Sequence, residues 1–202
     1  MTIATVILHP DNAEPKAFTQ EELGWAPWLP PLEEAELTER HYEGLVDRSR
    51  AKSPYFRLLA REPEALAART RTDKDIFYNT EGGLPRAERE LAATAVSRVN
   101  GCIFCASVHA RFAAHHSKRG AEVQRLLDEG VSARIDPRWD AVAAAATALT
   151  RTPSAFGAAE IAALRAAGLA DDEILDAVFA SAFFNWANRL MLSLGEPTPP
   201  VK

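Results

Sequence analysis

The stretch ILDAVFASAFFNWANRLMLSL, residues 174–194, is apolar on nearly every side of a helical wheel. A helix of this kind must be surrounded by protein on several sides. In a chain of 202 residues that requirement favours burial between subunits as well as inside one. Asp171 or Asp172 caps its start, and Gly195 with Pro197 ends it.

The rest of the chain carries the same period. Apolar residues recur at helical spacing, Ala is abundant, and Thr5 to Leu8 is the one stretch read as a short strand. The expected fold is all-α, a single helical domain over residues 33–197. An N-terminal arm (1–32) precedes it and a short tail (198–202) follows. Pro10, Pro15, Pro27, Pro30 and Pro31 punctuate the arm, and Trp25, Trp28 and Leu29 give it apolar anchors for its own core or a neighbouring subunit. Helices are expected over Glu33 to Arg50, Pro54 to Ala60 and Pro63 to Phe77. Another lies between Gly82-Gly83 and Asn100-Gly101, and the next opens near Cys102 and runs to about Arg119. Glu122 to Glu129, Asp136-Pro137 to Leu149, and Ala158 to Ala167 complete the set before the apolar helix.

Composition removes some function classes. The formal net charge is −5 and no basic stripe is present, so no nucleic acid is expected as a partner. No stretch offers the roughly 20 charge-free apolar residues of a membrane span. The N-terminus lacks the basic start of a secretory signal, and its apolar run breaks at His9-Pro10. The expected location is the cytoplasm, where a close cysteine pair is more often catalytic or metal-binding than structural.

The only two cysteines stand in NGCIFCASVH: Cys102 and Cys105, with His109 four residues on. On a helix, Cys102 and His109 lie about 20° apart and Cys105 within about 60° of both. Cα atoms three apart on a helix reach disulfide distance with some strain, and a strained bond is easily reduced. The free N–H groups of a helix start favour a thiolate near Cys102. His109, one turn beyond Cys105, is placed to take its proton. Glu90, on the preceding helix beside the small residues Ala93, Thr94 and Ser97, is the candidate partner that orients His109. Glu88, nearer the helix start, reads as a dipole or solvent residue. A zinc site of Cys102, Cys105, His109 and Glu90 competes with this reading, although three ligands on one helix give poor tetrahedral geometry. Inert buried thiols compete as well. A thioredoxin-like pair would follow a strand, and none precedes Cys102.

Glu90, eleven residues, Cys102, two residues, Cys105, three residues, His109 resembles the motif of the alkylhydroperoxidase D-like branch of the carboxymuconolactone decarboxylase superfamily. Ser97, Asn100 and the downstream ALRAAGLADDEILDAVFASAFFNWANRL also resemble its peroxidase-related members, over roughly residues 55–195. The resemblance implies a helical bundle that assembles as trimers or hexamers. It implies that Cys105 is the peroxidatic cysteine, Cys102 the resolving cysteine, and His109 with Glu90 a proton relay. An organic hydroperoxide would be the substrate and a thiol reductant or redox protein the electron donor. No cofactor and no metal are expected. Phe104 departs from the pattern, since relatives carry His or Tyr there. A decarboxylase-like reaction, or a non-enzymatic redox sensor or metal-binding role, is the alternative. His115 and His116 read as complements to a helix C-terminus. Asn185, Asn188 and Arg189 are candidates for the pocket wall, with Arg189 pairing an acid, or for an interface.

Overall fold

The computed structural model describes residues 6–79 and 81–200. Among them nine α-helices and one pair of strands are formed. The helices are α1 (Glu39–Leu45), α2 (Pro54–Leu59), α3 (Pro63–Tyr78), α4 (Arg86–Asn100), α5 (Ile103–Ser117), α6 (Gly120–Glu129), α7 (Pro137–Thr150), α8 (Ala158–Ala166) and α9 (Asp171–Leu194). The strands are β1 (Leu23–Pro27) and β2 (Gly195–Pro200).

Helix α4 is the centre. It packs on α5, α7 and α9, and Leu91, Ala92, Ala93, Ala95 and Val96 are each 0% exposed. Small residues on three sides let three helices close on it at once, which is how an alanine-rich helix becomes a core. Helix α4 ends at Asn100 because Gly101 takes a left-handed turn (φ 77°), and its N–H and that of Cys102 both reach back to Ser97 O. The chain re-enters a helix at once, with Cys102 at the N-cap of α5. Asp136 opens α7 by accepting from the N–H groups of Arg138 and Trp139, with Pro137 behind it in the first turn.

The N-terminal part differs from the expected elements. Glu33 to Arg50 is broken into a 3-10 turn (Glu34–Glu36), α1 and a second 3-10 turn (Arg48–Lys52). Thr38 restarts the chain as an N-cap whose N–H is met by His41 Nδ1 at 2.9 Å, and Val46 halts α1 at a φ of 63°. Gly44 lies so close to Pro63 that a Cβ there would stand 2.7 Å from it, so α1 and α3 cross through a glycine contact. Helix α5 stops at Ser117 with Lys118 left-handed, short of Arg119, and Gly120 opens α6. Val6 to Leu8 form no strand; Thr5 lies outside the described residues.

The strands lie elsewhere. β1 in the arm pairs antiparallel with β2, which directly continues α9 and takes in part of the expected tail. Proline and glycine fill both strands, so neither shows a β-like pattern. Trp28 Nε1 donates to Glu196 (3.0 Å), Asn12 donates to the same carboxylate (2.7 Å), and Trp28 N donates to Leu194 O (2.8 Å). Trp25 is buried against Tyr55 of α2, ring edge to ring face, with centroids 5.3 Å apart. The arm is thus fastened to its own chain at the C-terminal end of the long helix α9 and against α2.

Candidate active site

The four motif residues converge. Glu90 sits one turn into α4 and Cys105 and His109 sit one turn apart on α5, so the packing of these two helices brings an acid to a base across 19 residues of sequence. His109 Nδ1 is 2.6 Å from Glu90 Oε2, and both side chains are buried. A carboxylate accepts, so Nδ1 carries the proton and Nε2 is left as the basic nitrogen. The other oxygen of Glu90 accepts from Arg86 Nε at 3.1 Å. Arg86 lies one turn earlier on α4 and stacks on the rings of Tyr78 and Phe112, with centroid distances of 4.1 and 5.2 Å. Its spacing of four from Glu90 is legible in the sequence and is the signal that would have found it. Phe77 and Phe184 fix the imidazole, the latter 3.9 Å away edge-on.

Cys102 and Cys105 are both free and buried, with their sulfurs 2.8 Å apart. Burial pushes the Cys105 thiol well above its ordinary value, and the neighbouring Cys102 pushes it the same way. A hydrogen bond from Asn188 and the charge of Arg69 pull in the opposite direction without reversing the result. The dipole of α5, aimed at its first turn, is outweighed here by the loss of water. Cys105 therefore rests as a thiol.

Cys105, His109 and Glu90 line one cavity of about 610 Å³. Its walls are chiefly aromatic: Trp25, Tyr55, Phe56, Phe77, Phe104 and Phe184. Phe104, the departure from the motif, is thus part of this wall. Arg69 and Asp73 of α3 stand at its polar side, and Glu22 and Lys52 are exposed at its rim. Cys102 faces a smaller cleft with Gly101, Ile103, Met191 and Pro197.

Other candidates fall elsewhere. Asn185, Asn188 and Arg189 do not line the cavity. Asn100 Nδ2 donates to Asn185 Oδ1 (3.1 Å) and Asn188 Oδ1 (3.0 Å), Asn188 donates to Ser97 Oγ (3.0 Å), and Asn185 donates to Thr150 Oγ1 (3.1 Å). These amides fasten α9 to α4 and α7, and Asn188 carries the network to the Cys105 thiol. Arg189 donates to Asn185 O of its own helix, not to an acid. Glu88 is buried, not solvent-facing. It pairs with Arg138, which also holds Glu173, because α7 and the start of α9 pack over it. His115 and His116 occupy the last turn of α5. Among the described residues no group of three or more His, Cys, Asp and Glu side chains is placed to hold a metal ion. No helix among them is long and apolar enough to cross a membrane.

Residues 63–148 match the carboxymuconolactone decarboxylase family. No curated protein sequence matches the chain. Several solved structures do. An uncharacterised peroxidase-related protein with an alkylhydroperoxidase AhpD core, from Ralstonia eutropha JMP134, is 24% identical with a TM-score of 0.69, over 82% of this chain and 88% of that one. A peroxidase-related protein from Silicibacter sp. TM1040 is 27% identical with a TM-score of 0.62, over 70% and 74%. The debrominase Bmp8 is 16% identical with a TM-score of 0.65, over 81% and 88%, and shares the fold.

Proposed function

The chain belongs to the alkylhydroperoxidase D-like/carboxymuconolactone decarboxylase superfamily, and on that premise we propose that it is a thiol-dependent peroxidase reducing organic hydroperoxides. The observation that carries the reading is the placing of Cys105. It stands in an aromatic cavity, with a second thiol 2.8 Å away and a Glu90-oriented imidazole on the same wall.

The chemistry follows from the resting state. A buried thiol is unreactive, so the thiolate is made only when a base takes the proton, and Nε2 of His109 is that base. The Cys105 thiolate attacks the terminal peroxide oxygen. The S–O bond forms, the O–O bond breaks, and the proton held by His109 passes to the departing alkoxide to give an alcohol. Cys105 is left as a sulfenic acid. Cys102 condenses with it, releasing water and forming the disulfide, and two equivalents of a thiol reductant restore the pair. Glu90, held between Arg86 and His109, compensates the imidazolium while it lasts. A cavity of about 610 Å³ is in the range that encloses a drug-sized molecule and far exceeds what hydrogen peroxide fills, which favours bulky apolar hydroperoxides.

Self-association belongs to the same reading. Leu175, Phe179 and Trp186, at separations of four and seven, form a stripe on α9 that is 52%, 52% and 45% exposed. A second copy of this chain is the proposed cover. Light scattering should give a multimer that Phe179→Glu dissociates; a wild-type monomer removes this part of the proposal.

The central test counts free thiols, with intact mass, before and after one equivalent of cumene hydroperoxide. Rapid loss of both thiols with a two-hydrogen fall in mass, absent in Cys105→Ser, is the expected result. Cys102→Ser should stop at the sulfenic acid. Two thiols that ignore the peroxide would sink the assignment. Should they instead be lost to a bromopyrrole, the aromatic wall would serve reductive debromination, the chemistry named for the debrominase of the same fold.

A further inference from the structure

Two side chains on the cavity wall hold hydrogen-bond donors that nothing satisfies. Tyr55 is 6% exposed, and its hydroxyl is closed to water and has no partner among the described residues. Nε and Nη1 of Arg69 are in the same condition. The Arg69 side chain is 8% exposed. Its Nη1 lies 3.2 Å from Asp73 Oδ2, an ion pair off the line of a hydrogen bond. Asp73 is shared besides with Arg50, 3.6 Å away, so one half-buried carboxylate faces two guanidinium groups. Leaving a buried donor unmet costs about 1–3 kcal/mol, and more for a charged group. Three such donors among the residues that line the cavity of the reactive thiol are costly unless something supplies an acceptor during function.

Aromatic rings pack around these donors, which turn slightly toward the cavity when a substrate oxygen meets them. Tyr55 is clamped edge-on between Trp25 and Phe56, with centroids 5.3 Å from each. Arg69 lies over Phe56 and Phe183 at 5.6 and 5.2 Å. The two residues come from α2 and α3, whereas Cys105 and His109 come from α5, and all four line the cavity. Burial keeps the Tyr55 hydroxyl protonated far into alkaline pH, so it remains a donor, and the ionisation of Cys105 and of Cys102 is felt there. The charge of Arg69 is likewise felt at Cys105.

We infer that the Tyr55 hydroxyl and the Arg69 guanidinium receive the departing oxygen of the hydroperoxide. The inference rests on the peroxidase reading and adds to it two residues that contact substrate. When Cys105 Sγ attacks the terminal oxygen and the O–O bond breaks, the electron pair leaves on the alkyl-side oxygen. Negative charge grows there before the proton returns from His109. Donors already stripped of water lower the barrier when they meet a growing oxyanion, because no solvent shell has to be shed as the charge appears. The relay on α4 and α5 then handles the proton, while α2 and α3 handle the charge.

The test compares two reactions of the same thiol. Cumene hydroperoxide makes an alkoxide as it oxidises Cys105; iodoacetamide alkylates Cys105 and makes none. Tyr55→Phe removes one oxygen and keeps the ring packing. It should slow oxidation by roughly ten- to a hundredfold, the loss of one donor to a developing charge, and leave alkylation unchanged. The deficit should shrink with peracetic acid, whose leaving acetate needs little help. Arg69→Met should act in the same sense; if it does not fold, Tyr55→Phe decides alone. Unchanged oxidation in Tyr55→Phe, or equal slowing of both reactions, overturns the inference and marks these groups as donors the fold leaves unmet. A wild-type Cys105 inert to every hydroperoxide is a different result. It fails the peroxidase reading itself, and the donor role falls with it.

Discussion

Two of the cavity's walls are built on different principles. One is the α4–α5 pair, where Glu90 meets His109 across 19 residues and a single Gly101 turn sets the geometry. The other is the strap, where Leu23 pairs with Pro200 and Trp25 reaches Tyr55. The first wall is regular helix, capped and locally encoded. The second is proline-rich backbone from the two ends of the chain, held by a few side chains such as Trp28 and Glu196. The chemistry sits on the self-supporting wall, and the enclosure of the cavity depends on the other. Separating reactivity from enclosure in this way lets one be damaged while the other persists.

That contrast can be broken at the strap first. Trp25→Ala empties a buried aromatic site and should cost about 3–5 kcal/mol by urea denaturation. It should also weaken discrimination between cumene hydroperoxide and hydrogen peroxide, because the cavity loses a wall and keeps its thiols. Equal selectivity in wild type and variant would show that the strap does not shape the cavity. Gly195→Ala is the next largest. Its backbone is extended, so no conformational penalty applies, but the new Cβ would overlap Ala26 O and the Trp25 ring. Displacing the strap should cost about 1–3 kcal/mol.

On the other wall the effects are smaller and of a different kind. Gly101→Ala meets nothing within 4 Å, so only its left-handed backbone is penalised, by about 1–2 kcal/mol. A larger loss would mean that the α4–α5 turn carries packing as well. The smallest effect at neutral pH is that of Cys105. Its thiol is held well above the ordinary value by burial, so the unfolded chain ionises first as pH rises. Stability is complete below the ordinary thiol range of about 8.5 and declines above it. Stability measured from pH 7 into that range should fall less steeply in Cys105→Ser than in wild type. Parallel slopes would place the Cys105 thiol in water.

The motif was legible because every distance in it is short in sequence or set by one helical repeat. Cys102, Cys105 and His109 share a face through the helix geometry alone, and the small strip Ala93, Thr94 and Ser97 announced a close helix beside Glu90. Arg86, at a spacing of four from Glu90, was equally within reach. Tyr55 and Arg69 were not, because their lack of partners depends on how α2 and α3 pack against segments distant in the chain. Asn188 read as a candidate for the pocket wall and instead fastens α9 to α4 behind the cysteines.

The helical class, most of the helices from Pro54 onward and the shared face of Cys102, Cys105 and His109 were readable from the sequence. These follow from periodicity, caps and one glycine, all of them local. The tertiary structure alone decided that Cys105 rests protonated, since a thiol's ionisation depends on the water that distant segments exclude. It alone decided that Glu88 is buried against Arg138 and that the arm forms a strand with the end of α9. Strand pairing and burial are set by residues far apart in the chain, and no periodicity records which of them will meet.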